Sequence, residues 1–253
     1  MGPLIKKARV LVFDDISALE DFALGKWMAM AREAVNRKGT FAAALSGGGT
    51  PVGLYRKLAR AVEPSLWPKT HIFMVDERLV PHDNADSNFR MMDEMLFSKA
   101  PIPKGNIHPV RTDGPPELCA ERYASELFAF FQPRKGDMPV FDLVLLGLGE
   151  DGHTASLFPG ADALKEKERL TAAVPDEKRH ARVTLTYPVL NSARNVFFLV
   201  AGEKKAEVLE RVVERGDPAL PASAIKPENG TLLFLADSGA AVMLPVKMKN
   251  LQK

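Results

Sequence analysis

The sequence is short of cysteine. Cys119 is the only one in 253 residues, so no disulfide can close within the chain and no cysteine cage for a metal exists. No apolar run approaches the roughly 18 residues that a membrane span needs. The first stretch, Met1 to Asp15, lacks the long apolar core and small-residue cleavage site of a secretory signal. Together these absences lead to the expectation of a cytoplasmic protein in a reducing compartment. An excess of one charge is missing too. There are 34 Lys and Arg against 32 Asp and Glu, interspersed along the chain, which argues against nucleic acid as an obligate partner. No GK[ST] ending and no GxSxG elbow occurs, so a Walker-type nucleotide site and the usual serine hydrolase are disfavoured. Cys119 lies inside a predicted helix without a paired base, which speaks against a thiol enzyme. No linker, repeat or low-complexity segment stands out, and residues 1–253 are read as one α/β domain, a monomer or small homo-oligomer.

What is present is organised around Phe141 to Pro159, FDLVLLGLGEDGHTASLFP. The apolar run Leu143 to Leu146, bounded by Gly147 and Gly149, predicts a buried strand. The loop after it carries Glu150, Asp151 and His153. In open α/β sheets, ligands bind at the carboxyl ends of the strands. A histidine there is available for proton transfer near neutral pH.

Two other predicted strands end in chemistry. Phe41 to Leu45 runs into SGGGTP, Ser46 to Pro51, ahead of an amphipathic helix, with Thr50 expected at the N-cap and Pro51 at N1. Such a turn offers backbone N–H groups and a helix dipole to an anion, with Ser46, Gly47, Gly48, Gly49 and Thr50 as the candidate phosphate ligands. The alternative is a tight turn whose glycines serve geometry alone. His71 to Val75 runs into DERLVPHDNADSN. Asp76 directly follows the strand and points to the same edge, as a catalytic carboxylate or one that holds the loop through backbone hydrogen bonds. Asp83 and Asp86 read as solvated. His82 has no second histidine at ligand spacing, so a metal is not expected.

Elsewhere, Ala8 to Phe13 predicts an edge strand, and Ser17 with Glu20 a capping box on a helix that Gly39 stops. Its inner face is expected to hold Leu19, Phe22, Ala23, Met30, Ala34 and Val35. Ser87 is expected to cap a short methionine-rich helix, and Leu118, Tyr123, Leu127 and Phe130 to share one face of another. A proline-rich stretch, Pro101 to Pro116, reads as a crossover loop and Gly160 to Arg169 as a surface excursion. Arg182 to Thr186, Val196 to Val200 and Thr231 to Ala236 are predicted strands, the last one ahead of the tail. Between the latter two lies a helix with Ala206, Leu209 and Val213 inward. Lys204 and Lys205 in its first turn are a tolerated surface pair or mark an anion. The βαβα order predicts a doubly wound, mostly parallel sheet with helices on both faces. The strand ends suit a small anionic substrate, with either water activation by His153 or proton shuttling by Asp76 and His153.

SGGGTP, VDERLVPHDNADSN, LGLGEDGHTASLFP and RVTLTYPVLNSAR, in this order, resemble the glucosamine-6-phosphate isomerase/6-phosphogluconolactonase family, on its lactonase side. The resemblance spans most of the chain. It implies the modified Rossmann-like fold of glucosamine-6-phosphate deaminases and ribose-5-phosphate isomerases. It also implies hydrolysis of 6-phospho-D-glucono-1,5-lactone in the oxidative pentose phosphate pathway, without metal or cofactor. His153 would be the general base, Asp151 would orient it or shape the pocket, and Arg78 would meet the phosphate or the developing oxyanion. Gly47, Gly48 and Thr50 would hold the phosphate, with Arg182 and Lys205 closing on it. The deaminases are similar but carry a glutamate a few residues past the histidine, where this chain has Ser156, Leu157 and Phe158. They read Asp-Glu-Tyr at Asp76-Glu77-Arg78, and both departures favour the lactonase. A sugar-phosphate sensor would need an attached helix-turn-helix, which the sequence does not offer.

Overall fold

The computed structural model describes residues 9–176, 179–245 and 250–251. The chain begins with β1 (Arg9–Phe13), α1 (Ile16–Lys38), β2 (Phe41–Leu45), α2 (Val52–Ala61), β3 (Thr70–Met74), β4 (Asp76–Arg78), α3 (Asn88–Met92) and β5 (Ile107–His108). It continues with α4 (Pro116–Phe131), β6 (Leu143–Gly147), β7 (Thr171–Val174), β8 (Arg182–Leu185), α5 (Tyr187–Asn191) and β9 (Asn195–Val200). α6 (Ala206–Glu210), β10 (Thr231–Asp237) and β11 (Asn250–Leu251) complete it.

Eight strands form one sheet in the order β11-β1-β10-β9-β6-β2-β3-β5, every pairing parallel, with helices on both faces. All five residues of β2, FAAAL, are buried, as the unbroken apolar run of a strand covered on both faces requires. From β2 the chain moves to β3 and β5 on one side. It returns to β6 on the other side and then proceeds through β9 to β10. Between β2 and β6 the winding therefore reverses, and a crevice opens beyond their carboxyl ends. Those two ends carry the glycine turn and the His153 loop.

The expected sheet needs five corrections. β1 is not an edge strand, because Asn250–Leu251 of the tail pairs outside it, and for the same reason β10 is not the last strand. The proline-rich crossover contains β5, and β7 lies just past the polar excursion. Finally, β8 belongs to a separate antiparallel sheet, β4-β8-β7. Val75 is the pivot between the two sheets. Its N–H donates to Leu45 of the large sheet, and its carbonyl accepts from Leu185 of the small one.

Helix ends also differ from expectation. The cap of α1 is Asp15, whose carboxylate accepts from Ala18 N at 2.8 Å. Ser17 and Glu20 instead meet Lys57 of α2. Gly39 does stop α1, at φ 83°, and Arg37 and Lys38 suit the negative end of the helix dipole. Leu19, Ala23 and Ala34 are buried as expected, joined by Trp27 and Ala31, while Phe22, Met30 and Val35 are only partly covered. α2 begins at Val52 with Pro51 at its cap and no side-chain cap, so Thr50 stands one residue outside the expected place. Ser87 caps α3 through Arg90 N, and the turn continues in a wider π form over Asp93–Phe97. On α4, Leu118 faces out and Cys119 in. In the segment expected as one helix after β9, Glu203–Lys205 is a 3₁₀ turn that precedes α6. Ala206 and Leu209 are buried, with Val212 rather than Val213 beneath them. Among the described residues, no helix is long and apolar enough to cross a membrane.

Candidate active site

A cavity of about 120 Å³ lies in the crevice at the winding reversal. Its wall comes from four places: Ser46, Gly47 and Gly48 after β2; Asp76, Arg78 and Asn88 from β4 and α3; Gly147, His153 and Ala155 after β6; and Arg182 at the start of β8. Larger hollows exist, including one of about 890 Å³ between α4 and β7 rimmed by Glu117, Glu121 and Glu168. Unlike that hollow, the small cavity joins a histidine to cationic side chains and a glycine turn.

The glycine turn is held from both sides. Ser46 Oγ donates to Leu145 O at 2.8 Å, and Tyr55 Oη donates to Ser46 O at 2.6 Å. The Ser46 hydroxyl is thus committed to β6, whereas the N–H groups of Gly47, Gly48 and Gly49 donate to no group among the described residues. At Gly47 a Cβ would fall 1.9 Å from Asn88 Oδ1, so only glycine lets the Asn88 amide come this close.

His153 is set by Asp151. Its Nδ1 lies 2.5 Å from Asp151 Oδ1, and its backbone N–H donates to the same oxygen at 3.1 Å. With a proton on Nδ1, Nε2 carries the lone pair and is the acceptor. Burial would raise the Asp151 pKa, but the two hydrogen bonds and the nearby imidazole outweigh it and hold the carboxyl below its usual range. Gly149 permits the pair, because a Cβ there would fall 2.1 Å from His153 Nδ1 and 2.5 Å from Asp151 Oδ1. The imidazole also packs on Phe158, ring centroids 4.6 Å apart. Beyond His153 the loop turns through Ala155 at φ 51°, a left-handed backbone costing a non-glycine residue about 1 kcal/mol. Thr154 Oγ1 to Gly147 O (2.9 Å) and Ser156 N to Thr184 Oγ1 (3.2 Å) hold it there.

Arg78 and Arg182 are direct cross-strand partners in the β4–β8 register. Like charges placed opposite each other destabilise a sheet. Both Nε–H groups are buried, yet neither donates to any group among the described residues. Burial first, then the neighbouring Arg78 charge, push the Arg182 pKa down. The Arg182 guanidinium lies 5.2 Å from the centre of the Phe158 ring, and Arg78 Nη1 donates to Asp86 O. Such a pair fits an external anion that both can share.

Asp76 is buried, and Ser156 Oγ donates to its Oδ2 at 2.6 Å. The backbone-holding role considered for Asp76 belongs instead to its neighbour Glu77, which accepts from three N–H groups. Of the other sequence candidates, Gly49 and Thr50 flank the turn off the cavity wall, and Asp151 reaches the site only through His153. Lys205 Nζ sits 3.9 Å from Glu150 Oε1, also off the wall, and Lys204 is exposed. His82 bonds Val110 O and stacks on Phe89, and Asp83 and Asp86 are exposed as expected. Among the described residues, no three His, Cys, Asp or Glu side chains are placed to hold a metal ion. Cys119 is buried, and burial raises its thiol pKa, unlike that of a nucleophile. The sequence reading missed Asn88 and Ser156. The signal for Asn88 was its place just after the expected Ser87 cap.

Comparison with known proteins agrees with this geometry. The family model described as glucosamine-6-phosphate isomerases/6-phosphogluconolactonase matches residues 14–234. A 6-phosphogluconolactonase of Nostoc sp. is 40% identical over 243 residues, 95% of this chain and 100% of that protein. The crystal structure of 6-phosphogluconolactonase from Thermotoga maritima superposes with a TM-score of 0.78 at 34% identity, covering 91% of this chain and 100% of that one. A monomeric glucosamine-6-phosphate deaminase shares the fold at 21% identity and a TM-score of 0.77, covering 93% of this chain and 99% of its own. The chain, with its reversal-point cavity and its His153 loop, belongs to the glucosamine-6-phosphate isomerase/6-phosphogluconolactonase family.

Proposed function

We propose that the cavity hydrolyses 6-phospho-D-glucono-1,5-lactone to 6-phospho-D-gluconate, in the oxidative pentose phosphate pathway, with His153 as the general base. The chain is a lactone hydrolase, and one α/β domain carries its site. The observation that carries the mechanism is the set of groups on one wall: a histidine with Nδ1 engaged by Asp151 and Nε2 left as acceptor, beside two arginines that form no ion pair among the described residues.

His153 Nε2 takes a proton from water as the water oxygen attacks the lactone carbonyl carbon. Asp151 stabilises the imidazolium that results. Charge grows on the carbonyl oxygen, and the bond from that carbon to the ring oxygen then breaks. His153 returns the proton to the ring oxygen, which leaves as a hydroxyl. A lactone is an activated ester, so one base with fixed positive charge suffices. The free N–H groups of Gly47 and Gly48 and the Arg182 guanidinium bind the phosphate. Arg78 shares the negative charge of the phosphate and of the transition state. Asp76, fixed by Ser156, presents its second oxygen to a sugar hydroxyl. Thr50 and Lys205 lie one step further out, and Lys205 reaches the phosphate by leaving Glu150.

The test follows acid release from lactone generated in place by glucose-6-phosphate dehydrogenase, above the spontaneous rate. His153→Ala is expected to lower kcat by about 10²–10⁴ while product affinity stays near that of wild type. Near-normal turnover in that variant removes the general-base role. An inactive wild type that releases ammonia from glucosamine 6-phosphate would move the chain to the deaminase side.

A further inference from the structure

We propose that Glu77 is a positioning residue for this reaction, holding Arg78 and Asn88 against the cavity by fastening the start of α3 to β4. The inference rests on the reading of the cavity given above. Glu77 lies between two cavity residues in β4, and strand alternation turns its side chain away from theirs. Its carboxylate is fully buried. Oε1 accepts from Arg78 N at 2.7 Å and from Asn88 N at 2.8 Å, so a single oxygen bridges the strand and the helix start. Oε2 accepts from Phe89 N at 2.7 Å and from Ser87 Oγ at 3.1 Å. Four donors therefore surround a group that, when ionised, only accepts.

Burial raises the Glu77 pKa above the usual carboxylate range, and the N–H groups of Asn88, Phe89 and Arg78 offset this only in part. What the carboxylate organises is the cavity wall. Asn88 Nδ2 donates to Asp76 O at 2.9 Å, and the amide fills the space that a Cβ on Gly47 would take. Asn88 is thus wedged between β4 and the glycine turn. A shift of the α3 start would move the amide, the turn and the Arg78 backbone together.

The decisive measurement is steady-state kinetics of Glu77→Gln on two substrates, the phosphorylated lactone and unphosphorylated glucono-1,5-lactone. Glutamine keeps the size but turns one acceptor into a donor that faces N–H groups. The kcat/KM for the phosphorylated lactone is expected to fall about 10- to 100-fold, mostly through KM, because positioning of the binding groups is lost. The unphosphorylated lactone is expected to lose less, about three- to tenfold, because it feels only the share of Arg78 in the transition state, and the pH dependence of kcat is expected to stay in place. Glu77→Asp, which restores the charge, should recover part of the loss. Wild-type kinetics in a folded Glu77→Gln, or equal losses on both lactones, would overturn the proposal. If Glu77→Gln does not fold, Ser87→Ala removes one donor alone and should still raise KM, and an unchanged KM overturns the proposal. A wild type without lactonase activity would instead sink the reading of the cavity itself.

Discussion

The two ends of the parallel sheet handle positive charge in opposite ways. At the amino end, Asp142 is almost fully buried just ahead of β6. It accepts from Ala42 N at 2.9 Å and pairs with Lys38 at 2.8 Å, Arg37 at 3.0 Å and Arg194 at 3.8 Å. One carboxylate thereby ties the end of α1, β2 and the approach to β9 together. At the carboxyl end, Arg78 and Arg182 oppose each other, and neither guanidinium forms an ion pair among the described residues. Cations that share an internal counter-ion are scaffold. Cations that lack one are open to an anion from outside, which is why only the second group is proposed as a binding site.

Emptying the balanced cluster should have the largest effect on stability. Asp142→Ala leaves Ala42 N without its acceptor and three cations without a partner. A loss of about 3 kcal/mol in urea unfolding is expected, near the lower bound for breaking buried pairs because the cations keep contact with water. The KM should not move, and a raised KM would mean that the two ends are coupled. Arg182→Ala should invert that pattern. It relieves the repulsion with Arg78, so stability should stay within about 1 kcal/mol of wild type while kcat/KM for the phosphorylated lactone falls about 10- to 100-fold. An equal fall on the unphosphorylated lactone would remove Arg182 from the phosphate.

The smallest effect comes from the side of the sheet. His71 on β3 lies 3.1 Å from His108 on β5, which in turn meets Glu126 of α4 at 2.7 Å. Burial, then the charges of His108 and Lys38, lower the His71 pKa to about 4. Between pH about 6.5 and 4 the unfolded chain takes up a proton that the folded chain refuses, so stability falls as the pH drops through that window and is flat above it. Because the ring is part-exposed, about 1 kcal/mol or less is expected. His71→Asn should flatten the slope, and an unchanged slope would place it on another group.

The main strands are legible in the sequence because short apolar runs bounded by glycine have few other uses. The His153 loop follows directly, since Asp151 and His153 are close in sequence and Gly149 makes room for them. The small antiparallel sheet is not legible. Asp76–Arg78 is too short to show a period, and its partner at Arg182 lies far along the chain. The same gap hides Glu77, whose inward direction becomes clear only once Asp76–Arg78 is known to be a strand. Asp15 and Ser17 are both good caps by type. What separates them is Lys57, a long-range neighbour that draws Ser17 away.

The pairing of β4 with β8 also bears on how the molecule assembles. It joins chain segments roughly a hundred residues apart, a contact whose loop-closure entropy must be met before it yields any stabilisation. The two arginines meet only when that closure is complete. A bound phosphate ester would then act as a clasp on that long-range closure. It would slow amide exchange along Asp76–Arg78 and Arg182–Leu185 more than in the central strands.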